Sequence, residues 1–454
     1  MADARPEDGV AALDAACAVR DSWQATPPRV RGEILRAAFE ALTARTEEFA
    51  LLITLEAGKP IAESRSEVAY AAEFLRWFAE EAVRIGGRTA SSPDGKTRLW
   101  VERRAVGPCL LITPWNFPLA MATRKIAPAV AAGCPMVVKP AEQTPLSTLL
   151  LADLFADAGL PRGVLNVVPT SDPSALSRAL LSDPRLRKVS FTGSTPVGRT
   201  LLQLAAIHVV RVSMELGGNA PFIVFADACV DAAVNGAVAA KLRNGGQACT
   251  AANRFLVHES VVDEFSAKFA AHMDQMRLGP GADPDTDIGP LINRRAVDKV
   301  AALVEHAIDD SGARVLTQVQ SPDRAGYYFT PTLLADVPVT AAIHRQEIFA
   351  PVAPISSFSS DEEVLRYAND TEYGLAAYVY TNDLDRAMAM SSSIEAGMVA
   401  VNSGLISNPA APFGGIKQSG LGREGGTEGI DEYLNVRYTS FAANRLNDPS
   451  RPAG

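Results

Sequence analysis

Long runs of lysine and arginine are missing from this sequence, and so are apolar stretches long enough to cross a membrane. Its 454 residues carry 43 lysines and arginines against 52 aspartates and glutamates, a formal net charge of -9. That balance offers no basic footprint for nucleic acid or for an anionic membrane surface. The apolar runs are shorter than the roughly 20 residues that a bilayer requires. We therefore expect no nucleic-acid and no membrane partner, and a small-molecule partner is favoured.

Cysteine is scarce. The five cysteines are an odd number, lie far apart and have the spacing of neither a zinc site nor a disulfide framework, so we expect reduced thiols and no bound metal. Cys249 is the candidate reactive thiol, because the glycines and alanine of residues 244–249 leave it uncrowded. A lone cysteine is more often a core residue, and the pattern leaves that alternative open. The other four have apolar or helical neighbours typical of packing: Cys17, Cys109, Cys134 and Cys229.

Length and composition indicate a folded protein with more than one core. A chain of 454 residues exceeds the usual size of one hydrophobic core, so two large lobes with room for a cleft are expected. Hydrophobic residues make up 47% and charged residues 21%, which is typical of globular proteins. Residues 1–10 contain Asp3, Glu7 and Asp8 where a signal peptide needs a basic start, so we expect a cytoplasmic protein.

Short apolar runs alternate with helical patterns along most of the chain. Residues 29–57 have helical spacing and end at Gly58, and residues 91–95 form a predicted turn before a strand-like run at 98–102. From residue 109 onward, strands and helices alternate in the rhythm of a parallel sheet, with predicted strands at 110–112, 136–138, 165–168, 188–191, 209–216 and 222–225. The sequence therefore predicts an α/β fold with an inserted hairpin and a frayed polar tail at 444–454.

Two glycine-containing segments are candidates for phosphate binding. Residues 193–198, Gly-Ser-Thr-Pro-Val-Gly, follow a predicted strand and open a predicted helix, whose free amides and partial positive charge suit a pyrophosphate. A purely structural turn is the alternative there. Residues 420–425 match Gly-x-Gly-x-x-Gly literally, but no predicted strand precedes them. We interpret the second segment as a glycine-rich turn.

Charged residues follow two predicted strands. Lys139 and Glu142 come after the strand at 136–138, at the edge where open α/β sheets bind ligands. The lysine can donate to ribose hydroxyls, and the carboxylate can accept from a 2′-hydroxyl and repel a 2′-phosphate. Glu215 ends an apolar strand, where burial would raise its pKa towards that of a general base. Ordinary loop charges and a salt-bridged glutamate are the alternatives.

Asn116 precedes a helix expected to begin at Pro118, so its first interpretation is a helix cap. Its amide could instead donate to an oxyanion. The sequence alone leaves both roles open.

Six ordered motifs together resemble the aldehyde dehydrogenase superfamily over nearly the whole chain. They begin at residues 113 (Thr-Pro-Trp-Asn-Phe-Pro), 139 (Lys-Pro-Ala-Glu), 191 (Phe-Thr-Gly-Ser), 215 (Glu-Leu-Gly-Gly), 246 (Gly-Gln-Ala-Cys) and 347 (Glu-Ile-Phe). The resemblance implies an α/β fold with a Rossmann-type cofactor domain at 1–85 and 105–217. It further implies an α/β catalytic domain at 218–431 and a small β oligomerisation arm at 86–104 and 432–445, hence a homodimer or homotetramer.

The resemblance also assigns site residues. It makes Cys249 the nucleophile, Glu215 the general base and Asn116 an oxyanion donor, in an oxidation that passes through a thioester. NAD or NADP is the implied cofactor, and Glu142 favours NAD. The implied cofactor-binding residues are Trp115, Lys139, Glu142, Gly193, Ser194, Leu216, Glu347 and Phe349.

Within the superfamily the sequence is most similar to succinate-semialdehyde dehydrogenases, which places Arg124, Arg243 and Ser407 in the substrate tunnel. A short semialdehyde carries a carboxylate that arginine can bind with paired hydrogen bonds. Internal ion pairs are the alternative role of both arginines. Alternative substrates are glutarate semialdehyde or a broad range of aldehydes, and alternatives of another class are an inactive relative and a thiol hydrolase. Ala251 stands where some of these enzymes have a second cysteine, so no local disulfide is expected.

Overall fold

A computed structural model of the chain describes residues 2–320 and 325–442. The predicted tail at 444–454 and the last three residues of the predicted arm lie outside these ranges. Within the described residues, the α-helices in chain order are α1 (Pro6–Ala25), α2 (Pro28–Ala44), α3 (Thr46–Ala57), α4 (Ile61–Glu81), α5 (Pro118–Ala132), α6 (Leu146–Asp157), α7 (Pro173–Leu181), α8 (Thr195–Ala206), α9 (Val230–Leu242), α10 (Val262–Asp274), α11 (Arg294–Asp309), α12 (Asp361–Asn369), α13 (Leu384–Ser393) and α14 (Glu428–Asp431).

The strands form three sheets. In chain order they are β1 (Arg88–Ser91), β2 (Thr97–Ala105), β3 (Cys109–Ile112), β4 (Met136–Lys139), β5 (Leu165–Val167), β6 (Lys188–Thr192), β7 (Arg211–Glu215), β8 (Ala220–Val224), β9 (Ala252–His258), β10 (Arg314–Val315), β11 (Thr332–Ala335), β12 (Val352–Phe358), β13 (Ala376–Tyr380), β14 (Met398–Val401), β15 (Gly420–Leu421) and β16 (Leu434–Ala442).

Two of the sheets are almost entirely parallel. The six-stranded sheet has the order β15-β7-β6-β3-β4-β5, and the seven-stranded sheet has the order β10-β11-β12-β9-β8-β13-β14. Only the edge strands β15 and β10 run antiparallel to their neighbours in the described chain. The central strands of both parallel sheets are continuous apolar runs, because helices cover both faces of each sheet. The predicted α/β fold is therefore confirmed.

The third sheet is the predicted hairpin completed by a late strand. Its order is β1-β2-β16, all antiparallel, and β16 pairs with β2 over nine residues from Leu434↔Ala105 to Ala442↔Thr97. The small β15 lies in the range predicted as catalytic domain, yet it pairs with β7 of the six-stranded sheet. The boundaries assigned to the three domains stay predictions.

The helical pattern predicted at 29–57 is present in the structure. It forms two helices, because Arg45 leaves helical geometry at φ -105° and ψ 24° between α2 and α3. The predicted stop at Gly58 is confirmed, with φ +79° in the left-handed region that glycine tolerates. Among the described helices, none combines the length and the apolar character that crossing a membrane would take.

Candidate active site

A cavity of about 520 Å³ brings most of the predicted site residues together. Its walls include Asn116, Glu215 and Cys249, Arg124, Arg243 and Ser407, and Trp115, Gly193, Ser194, Leu216, Glu347 and Phe349. Of the residues predicted to bind cofactor, only Lys139 and Glu142 are outside its lining. A second, larger hollow of about 850 Å³ lies against α10 and contains none of the predicted residues. The smaller cavity is therefore the candidate active site.

Cys249 reaches the cavity because the chain bends sharply after α9. Asn244, Gly245 and Gly246 all have positive φ, at 53°, 59° and 77°. A Cβ on Gly246 would lie 2.2 Å from the carbonyl oxygen of Ala350, so only glycine fits there. The half-buried thiol lines the cavity, and its desolvation raises the pKa to about 12, against the opposing positive charge of Arg124. The resting thiol is therefore protonated and needs a base.

Glu215 supplies a carboxylate suited to that task. It ends β7 as predicted, and neither of its buried side-chain oxygens has a hydrogen-bond partner among the described residues. Burial, followed by the negative charge of Glu424, raises its pKa well above the usual range. A buried carboxylate without partners is costly, so burial favours the protonated form, and the ionised form is a strong proton acceptor.

Asn116 does not cap α5, which corrects its first interpretation. The cap position is Phe117, and the side chain of Glu67 from α4 instead accepts the amides of Leu119 at 3.0 Å and Ala120 at 3.2 Å. The Asn116 Nδ2 donates to the carbonyl of Gln247 at 3.0 Å. Since that bond uses one of two amide hydrogens, the second can serve an oxyanion in the cavity.

One end of the cavity is suited to a dinucleotide. Ser194 precedes α8 in extended geometry and makes no side-chain cap bond, so the first amides of the helix face an open site. A Cβ on Gly193 would lie 2.5 Å from the Phe191 ring. Beyond this point, Lys139 ends β4, and its Nζ lies 2.7 Å from Glu142 Oε1. These residues fit the phosphates and a ribose of such a cofactor.

Glu347 and Phe349 also line the cavity. The Glu347 Oε1 accepts the amide of Gly218 at 3.0 Å, and burial raises the pKa of this carboxyl to about 7. Phe349 has φ +60° and packs edge-on against Trp115, with ring centroids 5.5 Å apart. Lys299 on α11 donates to the Glu347 carbonyl at 2.5 Å and also lines the cavity.

The two predicted substrate arginines have different surroundings. Arg124 is buried, with its guanidinium 4.1 Å from the Phe413 ring centroid and 3.8 Å from Glu424 Oε2. The alternative of an internal ion pair thus holds in part for Arg124. Arg243 lies 5.2 Å from the Phe117 ring and forms no ion pair or hydrogen bond within the described part of the chain. Its charge is free to meet an anion.

Sequence reasoning missed several cavity residues. They come from α4, β6, α11 and the segment before β15: Tyr70, Thr192, Arg295, Lys299 and Phe413. Thr192 lies inside the Phe-Thr-Gly-Ser motif at 191–194 but was given no role, and the helical residues among them carry no local pattern that marks a site. Over residues 2–320 and 325–442, no group of three or more histidine, cysteine or acidic side chains is arranged to hold a metal ion.

Comparisons with known proteins agree with this geometry. A sequence model of the Aldehyde dehydrogenase family matches residues 1–439. A succinate-semialdehyde dehydrogenase of Paenarthrobacter nicotinovorans is 60% identical over 97% of this chain and 98% of its own length. The NADP(+) succinate-semialdehyde dehydrogenase GabD of Escherichia coli is 48% identical over 94% of this chain and 88% of its own. A glutarate-semialdehyde dehydrogenase of Pseudomonas putida is also 48% identical, over 94% and 88%.

Solved structures share the fold closely. The crystal structure of succinate-semialdehyde dehydrogenase from Burkholderia pseudomallei superposes with a TM-score of 0.95 at 47% identity, covering 97% of this chain and 91% of that one. On fold, sequence and the arrangement of the cavity, this chain belongs to the aldehyde dehydrogenase family.

Proposed function

We propose that this enzyme oxidises succinate semialdehyde to succinate with a nicotinamide dinucleotide as oxidant. One observation carries the choice of a carboxylated aldehyde: Arg243 shares the cavity with Cys249 and has no acidic partner in the described chain. Arg124 lines the same cavity and adds a second guanidinium. A short substrate whose aldehyde reaches Cys249 then presents its carboxylate to these cations, which bind carboxylates with paired charge-assisted bonds.

The reaction begins with proton transfer and attack. Glu215 takes the proton of the Cys249 thiol, because both groups face one cavity and the raised pKa of Glu215 makes it a competent acceptor. The sulfur then forms a bond to the aldehyde carbon. The Asn116 amide and the backbone N–H of Cys249 stabilise the oxyanion that develops.

The dinucleotide, when bound, would accept the hydride that leaves the former aldehyde carbon as its C–H bond breaks. The acyl group is then held on the Cys249 sulfur as a thioester, and Glu215 gives the thiol proton to solvent. Glu215 next takes a proton from a water that attacks the thioester carbon; the carbon–sulfur bond breaks, the acid is released, and the Cys249 sulfur recovers a proton from Glu215. The same carboxylate thus serves the nucleophile first and the water afterwards.

We propose that the cofactor lies along the edge of the six-stranded sheet. Lys139 and Glu142 would hold the adenosine ribose, Gly193 and Ser194 the phosphates, and Glu347 the nicotinamide ribose, beside Trp115, Leu216 and Phe349. NAD is preferred over NADP, because Glu142 would repel a 2′-phosphate. The ion pair between Lys139 and Glu142 weakens that repulsion, so some use of NADP is expected.

Glutarate semialdehyde is the second candidate substrate, supported by the glutarate-semialdehyde dehydrogenase at 48% identity. It differs from succinate semialdehyde by one methylene, which a pocket distinguishes by only about 1–3 kcal/mol. Arg124 is buried more deeply than Arg243, so the two cations could meet carboxylates at different distances from Cys249.

Self-association as a homodimer or homotetramer is proposed from the three-stranded sheet. Its edge strand β16 pairs on one side only within the described chain, and it exposes Val436, Tyr438 and Phe441. An unpaired edge with apolar side chains favours association. Light scattering that gives the mass of one chain for the fully active enzyme would contradict this proposal. A cytoplasmic location stays a prediction.

The decisive assay is the rate of NADH and NADPH formation with succinate semialdehyde, glutarate semialdehyde, hexanal and benzaldehyde. We expect the highest kcat/KM with succinate semialdehyde and NAD, and no activity in Cys249→Ala. Cys229→Ala is the matched control, because that cysteine is exposed and outside the cavity. Equal use of all four aldehydes would overturn the substrate proposal. Failure to reduce either cofactor would favour a thiol hydrolase or an inactive relative.

A further inference from the structure

A buried group of charges lies beneath the oxyanion donor, outside the roles assigned so far. We call it the Lys59 cluster: Lys59 just after α3, and Glu63 and Glu67 on α4. The side chains of Lys59 and Glu67 are fully buried, and Nζ lies 2.5 Å from Oε2. Such a pair is expensive to desolvate, and a neutral pair of similar shape would often be at least as stable. Stability alone therefore does not explain why a charged pair occupies this buried position.

The pair holds both ends of the segment that carries Asn116. Lys59 Nζ donates to the Asn116 carbonyl at 2.8 Å, and Glu67 Oε1 accepts the amides of Leu119 and Ala120 at the start of α5. Lys59 Nζ also lies 4.0 Å from the centre of the Phe117 ring between them. A single ion pair thus sets where residues 116–120 lie.

The same carbonyl joins this segment to the nucleophile loop. Asn244 Nδ2 donates to the Asn116 carbonyl at 3.0 Å, and the Asn244 backbone amide donates to Glu63 at 2.7 Å. The Asn116 side chain in turn donates to the Gln247 carbonyl, two residues before Cys249. Oxyanion donor and nucleophile are therefore tied together through the Lys59 cluster.

We propose that Lys59 and Glu67 are positioning residues, which fix the Asn116 amide at the place where the oxyanion forms on a carbonyl attacked by Cys249. The inference rests on the roles given to Asn116 and Cys249 under the proposed function, but not on the choice of aldehyde. A displacement of about 1 Å at such a donor can lower a rate about 100-fold.

The test compares two reactions of Cys249, one that forms an oxyanion and one that does not. Acylation of Cys249 by p-nitrophenyl acetate passes through an oxyanion, whereas its alkylation by iodoacetamide is a direct displacement without one. Releasing Asn116 should slow the first reaction and spare the second. A general loss of structure would slow or speed both together.

The main variant is the double substitution Lys59→Met with Glu67→Gln, because Lys59→Met alone leaves Glu67 as an unpaired buried charge, which is strongly destabilising. We expect p-nitrophenyl acetate acylation to fall about 10-fold to 100-fold, as in Asn116→Ala, with iodoacetamide alkylation within about 2-fold of wild type. Arg65→Met is the control, since it removes an exposed ion pair of the same helix, 2.8 Å to Glu47.

An unchanged ratio of the two rates in the double variant would overturn the inference, even with a lower melting temperature. Aldehyde oxidation is measured separately on the wild type. If the wild type oxidises none of the aldehydes while the ratio falls in the variant, the proposed function fails and the positioning role stands. If aldehydes are oxidised and the ratio is unchanged, the reverse holds.

Discussion

Replacement of Arg243 by methionine removes a charge that has no partner and keeps the apolar stem of the side chain. Its guanidinium lies 5.2 Å from the Phe117 ring centre and makes no ion pair or hydrogen bond in the described chain, although its charge partly offsets the burial that raises the pKa of Glu63. Removing this guanidinium therefore breaks no ion pair with a protein carboxylate. Hydrogen bonds to charged groups are worth about 1.5–3 kcal/mol. The loss of one substrate carboxylate contact should then lower kcat/KM about 10-fold to 150-fold, at about 1.4 kcal/mol for each factor of ten.

The assay compares succinate semialdehyde with hexanal, which has a similar reach and no carboxylate. For hexanal we expect Arg243→Met to stay within about 3-fold of wild type, since no charged contact is lost. Arg124→Met gives the contrast. It removes a guanidinium 3.8 Å from Glu424 Oε2 and a hydrogen bond to Tyr70, while Lys125 keeps its ion pair with Glu424, so about 1–3 kcal/mol of stability is lost along with activity.

Two results would refute this reasoning about Arg243. Equal losses for succinate semialdehyde and hexanal would mean that Arg243 supports the cavity rather than the substrate. An unchanged kcat/KM for succinate semialdehyde would mean that Arg124 or another group binds the carboxylate.

Three further changes have calculable effects. Glu215→Gln should lower kcat about 100-fold to 10,000-fold without lowering the melting temperature, because glutamine is a neutral side chain of the same shape as the buried carboxyl, and wild-type kcat should rise with pH through the raised pKa of Glu215. Burial lowers the pKa of Lys241 from 10.5 to about 7, so the charged lysine destabilises the fold fully below pH 7, and this destabilisation fades as the pH rises towards 10. Lys241→Met should therefore raise the free energy of unfolding in urea by on the order of 2 kcal/mol at pH 6. An unchanged free energy of unfolding at that pH would contradict the destabilising effect of the buried charge. Gly420→Ala should lower both melting temperature and kcat, since its Cβ would lie 1.8 Å from the Met214 carbonyl beside Glu215, whereas Gly159→Ala, also at positive φ but in open space, should cost less.

The sequence predicted those parts of the molecule that depend on local pattern. Strand and helix alternation follows from runs of apolar residues, so β3 to β8 fall where expected. The motif residues Cys249 and Glu215 meet in one cavity because each ends or follows an element whose place the sheet determines. Such features need no knowledge of distant contacts.

Other parts depend on partners far along the chain. Asn116 looked like a helix cap because it precedes α5, but Glu67, 52 residues before Leu119, takes the amides that a cap would bind. The break at Arg45 interrupts a pattern of apolar residues that stays helical on both sides. The Lys59 cluster went unrecognised because lysine and glutamate at helix starts are ordinary surface residues until packing buries them.

The most direct test of the account traps the acyl group on the nucleophile. Glu215→Gln is mixed with succinate semialdehyde and NAD at alkaline pH, where hydroxide can take the Cys249 proton in place of Glu215, and the protein is digested and analysed by mass spectrometry. We predict slow formation of about one NADH per site and a succinyl group on the peptide that contains Cys249, with none in Cys249→Ala. NADH formation with the acyl group on another cysteine, or with no covalent adduct at all, would contradict the claim that this chain oxidises its substrate through Cys249.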